Sequence, residues 1–286
     1  AIVLAVLLTV FNNIRDVTDP LAFGGFNDTG RAAGYYINPN RTGCALILGM
    51  IFSMGVLPRK FRIFFAIIVF FGVFLTVSRG AIIGWFLVMG IFLQSGLIPR
   101  KQLLFWILGI VTIALILGPL LSDLLDMEKL QNYGLIHINV KNVTERLEWL
   151  QHPAANSEDS ADSRLEIAEH GWNLFAKHPI WGNGIASTIP PNWPYGMSTH
   201  NIYLFFMTDH GFLGAFIVPL LIYSVTWHSR GESKHIALAF TTFILLWGFF
   251  SHNIIEERYI LMSFSLMAAM KVTSQLEQKS KKEEQS

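Results

Sequence analysis

Charge is the scarcest thing in this chain. Only 14% of its 286 residues are charged, while 52% are hydrophobic and the mean hydropathy is +0.44. A soluble domain carries roughly 25% charged residues, so too few are present here to clothe a water-facing surface. The shortage excludes a disordered chain and a coiled coil, and the net charge of +1 excludes the basic excess of a nucleic-acid-binding domain. Cysteine is nearly absent, and the one residue, Cys44, excludes an internal disulfide and a cysteine-based metal cage. There is no His-Glu-x-x-His, Walker loop, Gly-x-Ser-x-Gly or carboxylate set with metal spacing. A metalloprotease, an ATPase and a serine hydrolase are disfavoured accordingly. A signal peptide is missing too, since neither a basic n-region nor a small-residue cleavage site opens the chain. The sequence begins with Ala inside an apolar run, which reads as a fragment lacking its N-terminal spans.

What is present is a series of long apolar runs. A spanning helix needs about 20 mostly apolar residues. Candidates are 1–14, 42–57, 61–77, 80–98, 103–121, 202–227, 236–251 and 254–272. The shorter ones are expected to be extended by their flanks or tilted. They are continuous rather than alternating, which excludes barrel strands. The expected fold is all-α, a polytopic transmembrane bundle of about eight visible spans. Residues 1–121 would hold helices one to five with an outer loop at 12–41, and 122–199 a large outer loop. Residues 200–272 would hold helices six to eight, and 273–286 a cytoplasmic tail. Direction follows from Arg59, Lys60 and Arg62, from Arg100 and Lys101, from Arg230 and Lys234, and from the lysines of the tail. These fall on one side, which is the cytoplasm by the positive-inside rule.

The outward side then carries the loop 12–41, the tight turn Ser78-Arg79-Gly80, the segment 122–199 and the short loop 252–258. Within the large loop, Ser163 and Glu166 form a capping box. Leu165, Ala168, Trp172 and Phe175 repeat at helical spacing behind it, giving an amphipathic helix that lies on the membrane or the bundle. His178-Pro179 ends that helix and Gly182-Asn183-Gly184 turns the chain.

Three residues on that side could carry chemistry. Arg79 sits at the edge of two apolar helices, where a guanidinium either faces a cavity or snorkels to head groups. Arg164 opens the amphipathic helix and is either an ordinary solvated charge or a bidentate anion ligand. His200 lies at the mouth of the sixth span and is either structural or a general base. Asp209 follows nine residues later on the opposite helix face, so it does not orient His200, and it reads as a tether between helices. His252, Asn253, Glu256, Glu257 and Arg258 form another polar cluster, which a local ion pair explains. No inverted repeat of the transporter kind is evident.

At these residues the chain resembles the O-antigen ligase and polymerase family of bacterial polysaccharide assembly. The resemblance runs from about Arg31 to Met267. It is carried by Arg31 with Gly34-Tyr35-Tyr36-Ile37-Asn38-Pro39-Asn40, and by Thr76-Val77-Ser78-Arg79-Gly80-Ala81. Further on come Arg164 with Trp172 to Lys177 and His178-Pro179-Ile180-Trp181-Gly182-Asn183-Gly184, then His200-Asn201-Ile202-Tyr203-Leu204 and Asp209-His210-Gly211-Phe212-Leu213-Gly214. The resemblance implies an inner-membrane glycosyltransferase that uses no metal or other cofactor. It would move glycan from undecaprenyl diphosphate to an acceptor at the periplasmic face, with inversion. Ligation to lipid A–core is the first expectation. A polymerase of the same chemistry and a transporter or flippase are the alternatives. Arg79 and Arg164 match the family's diphosphate-binding arginines and His200 its proposed base. Arg31, Asn38, Asn40, Asn201 and Asp209 are weaker substrate-binding candidates, Asp209 standing where the family often has Glu.

Overall fold

The computed structural model describes residues 1–19, 21–23, 31–101, 160–189, 193–196 and 198–284. The expected span 103–121, the first part of the large loop at 122–159, and 24–30 of the earlier loop lie outside the described residues. Among the described residues all regular structure is helical. The chain divides into two units, Ala1–Pro153 and Ala154–Ser286.

In the first unit, α1 (Ile2–Thr18) packs on α2 (Pro39–Ser53) and α3 (Arg59–Leu75), and α4 (Arg79–Gln94) packs on α2 and α3. Caps and turn residues set the helix ends, and hydropathy does not, so every boundary shifts from the apolar runs. The α2 helix starts at Pro39 because Asn38 caps it and proline is preorganised at the first helical position. Pro58 precedes α3, Val77 at φ 48 breaks the chain after it, and Gly96 at φ 71 follows the end of α4. The α1 helix runs past its expected end to Thr18, so Asn12, Asn13 and Asp16 belong to a helix and not to the loop expected at 12–41. Asn13 tolerates that position because its Nδ2 donates to the Gly72 carbonyl at 3.0 Å.

Ile47, Met50, Ile51 and Met54, with Ile63 and Phe92, form the fully buried centre of this unit. Gly49 lets α1 and α2 approach until a Cβ there would collide with Val6. Such close backbone contact is what holds helices together where lipid removes the hydrophobic drive between them. The outward faces are equally apolar: Leu4, Leu8 and Phe11 of α1, Phe71 and Phe74 of α3, and Phe86 and Leu87 of α4 are exposed. Helices that are hydrophobic all round are not helices of a water-facing surface.

The second unit contains α5 (Ser160–Lys177), α6 (Ile202–His210), a 3-10 segment (Gly211–Phe216), α7 (Ile217–Thr226), α8 (Glu232–Trp247) and α9 (Arg258–Glu283). The run Ile202–Thr226, with 25 residues and a mean hydropathy of 1.6, is the one helical stretch among the described residues that is long and apolar enough to cross a membrane. It realises the expected span 202–227, but with a break at Gly211. The α2, α3, α4 and α8 helices have 15, 17, 16 and 16 residues. At 1.5 Å per residue they reach roughly 22–26 Å, short of the roughly 30 Å hydrocarbon core. The segment expected as a tail from 273 continues α9. Lys271 Nζ donates to the Ser224 carbonyl at 2.8 Å and Arg230 Nη1 to Gln278 Oε1 at 2.7 Å, which fasten α9 to the α7–α8 turn.

The α5 helix packs on its neighbours by a stripe offset from its most apolar one. It begins at Ser160, so the Ser163–Glu166 pair lies inside the helix and does not cap it. Its buried stripe is Ile167, Gly171 and Phe175, whereas Leu165 and Trp172 are 69% and 56% exposed. Gly171 explains the offset: a Cβ there would stand 3.0 Å from Thr199 Cγ2 and 3.1 Å from Leu204 Cδ2, so the smallest residue takes the closest contact with α6.

Candidate functional site

One end of the first unit is polar. There α1 and α3 finish and α2 and α4 begin. Arg31 is buried, with Nε donating to the Thr76 carbonyl at 2.9 Å and Nη2 to Asn40 Oδ1 at 3.0 Å. The same Asn40 oxygen accepts from Ser78 Oγ at 2.9 Å. Arg31 and Asn40 therefore pin the turn that leads into Arg79, the first residue of α4. Arg79 is half-buried with its Nε shielded from solvent. A guanidinium at a helix N-terminus adds a full charge to the partial positive charge of the free backbone N–H groups, and both favour an anion. Asn38 turns its side-chain oxygen to the backbone N–H groups of Asn40 and Arg41, at 2.9 and 3.4 Å, so it is occupied in capping α2.

In the second unit three elements converge on His200. Thr199 packs on Gly171 of α5. Asn201 caps α6, accepting from the N–H groups of Tyr203 and Leu204 at 3.0 and 3.1 Å. The Ile202 N–H donates to the Gly248 carbonyl at 2.9 Å and the Tyr203 hydroxyl to the Leu245 carbonyl at 2.7 Å, which fasten the start of α6 to the end of α8. Between these anchors His200 is held at φ 53. A non-glycine residue at positive φ costs of order 1–3 kcal/mol and persists only where its surroundings over-determine it. Its ring is half-buried and lies edge-on to His252, with centroids 5.4 Å apart. In the sequence His252 belongs to a separate polar cluster with Asn253, Glu256, Glu257 and Arg258. No local spacing pattern links it to His200, and only the docking of α6 on α8 does.

Arg164 falls in the second turn of α5, and by helical register on the same face as Gly171. Its side-chain geometry lies outside the described residues. Asp209 is buried and serves the loop that follows α5. Its Oδ1 accepts from the Ser187 N–H and hydroxyl at 3.0 and 2.7 Å, and its Oδ2 from the Ala186 N–H at 3.1 Å. Asn183 N–H donates to the Thr208 carbonyl at 2.8 Å and Phe212 N–H to the Pro179 carbonyl at 2.8 Å. A Cβ on Gly182 would strike the Asp209 carbonyl, and one on Gly211 the Ile180 carbonyl. The two glycine motifs thus interlock, and this contact is why the apolar helix breaks where it does. Asp209→Ala strands three donors of that loop. It is expected to cost about 3 kcal/mol, hydrogen bonds to a charge being the strong ones, and to expose residues 180–188 to protease. Thermal unfolding and limited proteolysis check both. Further along, Tyr195 donates to Glu166 Oε1 at 3.1 Å, tying the loop back to α5. Burial, with the Glu166 hydrogen bond second, raises its phenol above the ordinary range.

Among the described residues no three His, Cys, Asp or Glu side chains gather in a group that could hold a metal ion. No curated protein matches the chain. Comparison with known protein families matches residues 63–219 to the family described as O-antigen ligase. That segment covers more than half of the chain and contains Arg79, Arg164, His200, Asn201 and Asp209, while Arg31, Asn38 and Asn40 precede it. The chain belongs to the O-antigen ligase family, and is a membrane protein and glycosyltransferase-type enzyme of polysaccharide assembly.

Proposed function

We propose that this enzyme is a metal-independent, inverting glycosyltransferase of the bacterial inner membrane. It moves glycan from undecaprenyl diphosphate to lipid A–core at the periplasmic face, in a bundle of about eight visible spans. The observation that carries this reading is His200. It is the one site candidate held at positive φ, at the meeting point of α5, α6 and the end of α8. Strain retained at a polar, half-buried imidazole points to function. The all-round apolar faces of α1, α3 and α4 support the multi-span reading.

In the reaction, the acceptor hydroxyl oxygen attacks the anomeric carbon from the face opposite the diphosphate, and configuration inverts. The proton of that hydroxyl passes to the His200 imidazole. The glycosidic C–O bond breaks with its electron pair leaving on the carrier diphosphate. Arg79 and Arg164 stabilise that developing charge with fixed guanidinium donors, which are worth most where water is scarce.

The test is the full-length protein with carrier-linked glycan and lipid A–core, with products resolved by gel. Glycan joined to lipid A–core is the expected product. Longer carrier-linked chains would assign it as a polymerase, and no covalent transfer would remove the enzyme reading.

A further inference from the structure

We infer that the first unit contains a binding subsite for one neutral sugar ring, between the C-terminal turns of α1 and the 3-10 turn Gly34–Tyr36. A cavity of about 250 Å³ lies there, lined by Thr9, Asn12, Asn13, Tyr35 and Tyr36. Its most telling atom is Asn13 Oδ1. Asn13 is 0% exposed; its Nδ2 is spent on the Gly72 carbonyl at 3.0 Å, and its Oδ1 is buried with no hydrogen-bond partner. A buried acceptor left unmade costs about 1–3 kcal/mol. Buried polar atoms are nearly always hydrogen-bonded in native folds, so an orphan beside a cavity calls for a ligand there.

The turn opposite closes over that oxygen without bonding to it. Gly34 stands at φ 51, and a Cβ on it would lie 3.4 Å from Asn13 Oδ1 and 3.1 Å from Asn12 Cβ. The N–H groups of Ala33 and Gly34 donate to Asp16 Oδ2 at 2.7 and 2.9 Å, which fixes the turn against α1. Tyr35 is 74% exposed, and its ring rests edge-on against Phe23 with centroids 4.8 Å apart. The phenol is therefore steadied on one side and open on another.

The lining chemistry names the ligand class. No lining residue is charged, so the ligand is neutral, unlike the anion that Arg79 would attract. The Asn12 carboxamide, Asn13 Oδ1 and the Tyr35 hydroxyl supply donors and acceptors for adjacent ligand hydroxyls. Two tyrosine rings supply flat apolar faces for the C–H side of a ring. Pockets for drug-sized ligands run roughly 300–1,000 Å³, so this smaller cavity takes one monosaccharide unit and not a chain. The inference rests on the proposed glycan transfer for the source of the sugar, which is either the donor glycan or the acceptor. Binding itself does not depend on it.

The experiment uses the full-length protein in nanodiscs with glucose, galactose, rhamnose and N-acetylglucosamine as free probes, read by saturation-transfer NMR. At least one probe is expected to bind. Asn13→Ala and Tyr35→Ala are each expected to weaken that binding tenfold or more. Tyr35 is exposed, so its variant keeps the test meaningful even if Asn13→Ala disturbs helix packing. Transfer kinetics run in parallel, where a tenfold rise in KM with kcat retained marks binding lost equally from ground and transition states. Which KM rises, donor or acceptor, identifies the source. No binding by wild-type protein, or equal binding by wild type and both variants, overturns the subsite. Sugar binding without transfer by the wild type overturns the proposed reaction and leaves the subsite standing.

Discussion

Replacing His200 by alanine is expected to reduce glycan transfer by roughly 100- to 10,000-fold, the range a positioned general base contributes. The fold should survive. The ring is only half-buried, and the anchors around it are backbone bonds and the Asn201 cap, none of which uses the imidazole. Alanine gives up the ring contact with His252, but Tyr203 and Ile202 still hold the Leu245 and Gly248 carbonyls in the α6–α8 docking. Thermal unfolding beside a transfer assay separates the two effects. An unchanged melting temperature with transfer lost is the expected pair. Equal loss of both would place His200 in the scaffold.

The second large effect is at the arginines. Arg79→Lys and Arg164→Lys are each expected to lower kcat by about 100- to 1,000-fold, comparable to removing one donor from an oxyanion site. Charge is conserved in both variants, so long-range attraction of the carrier persists. What disappears is the planar fork that meets two phosphate oxygens at once. For Arg79 the positioning is visible in the structure, because Arg31, Asn40 and Ser78 fix the turn from which it projects. Steady-state kinetics with the carrier-linked donor check the prediction. Lysine variants that keep wild-type kcat would show that simple charge suffices.

The candidate site residues were named from short motifs, and among the described residues helix existence was legible because it rests on apolar runs. Helix ends were not, because they rest on single residues. Asn38 with Pro39, Val77 at φ 48 and Gly96 at φ 71 override hydropathy by capping or reversing the chain. On α5 the stripe that packs on α6 is offset from the most apolar one for the same reason. Leu165 and Trp172 are the more hydrophobic choices, yet Gly171 decides which face can meet Thr199 and Leu204. Helical spacing does not relate Asp209 to His200, because His200 precedes α6 at φ 53, and the Asp209 partners Ala186 and Ser187 could not be read from a linear pattern. His252 was beyond reach altogether, because α8 must dock on α6 before the two imidazoles meet. Asn12 and Asn13 fall both in the expected span 1–14 and in the expected loop 12–41. Only the bond to Gly72 shows that the helix carries them inward.

The most direct measurement follows donor binding and single-turnover transfer in one preparation, comparing wild type with His200→Ala. Carrier-linked glycan bound with wild-type affinity, with no glycan passed to lipid A–core, is the expected result for a base that acts only in the chemical step. Transfer by His200→Ala at the wild-type rate would contradict it.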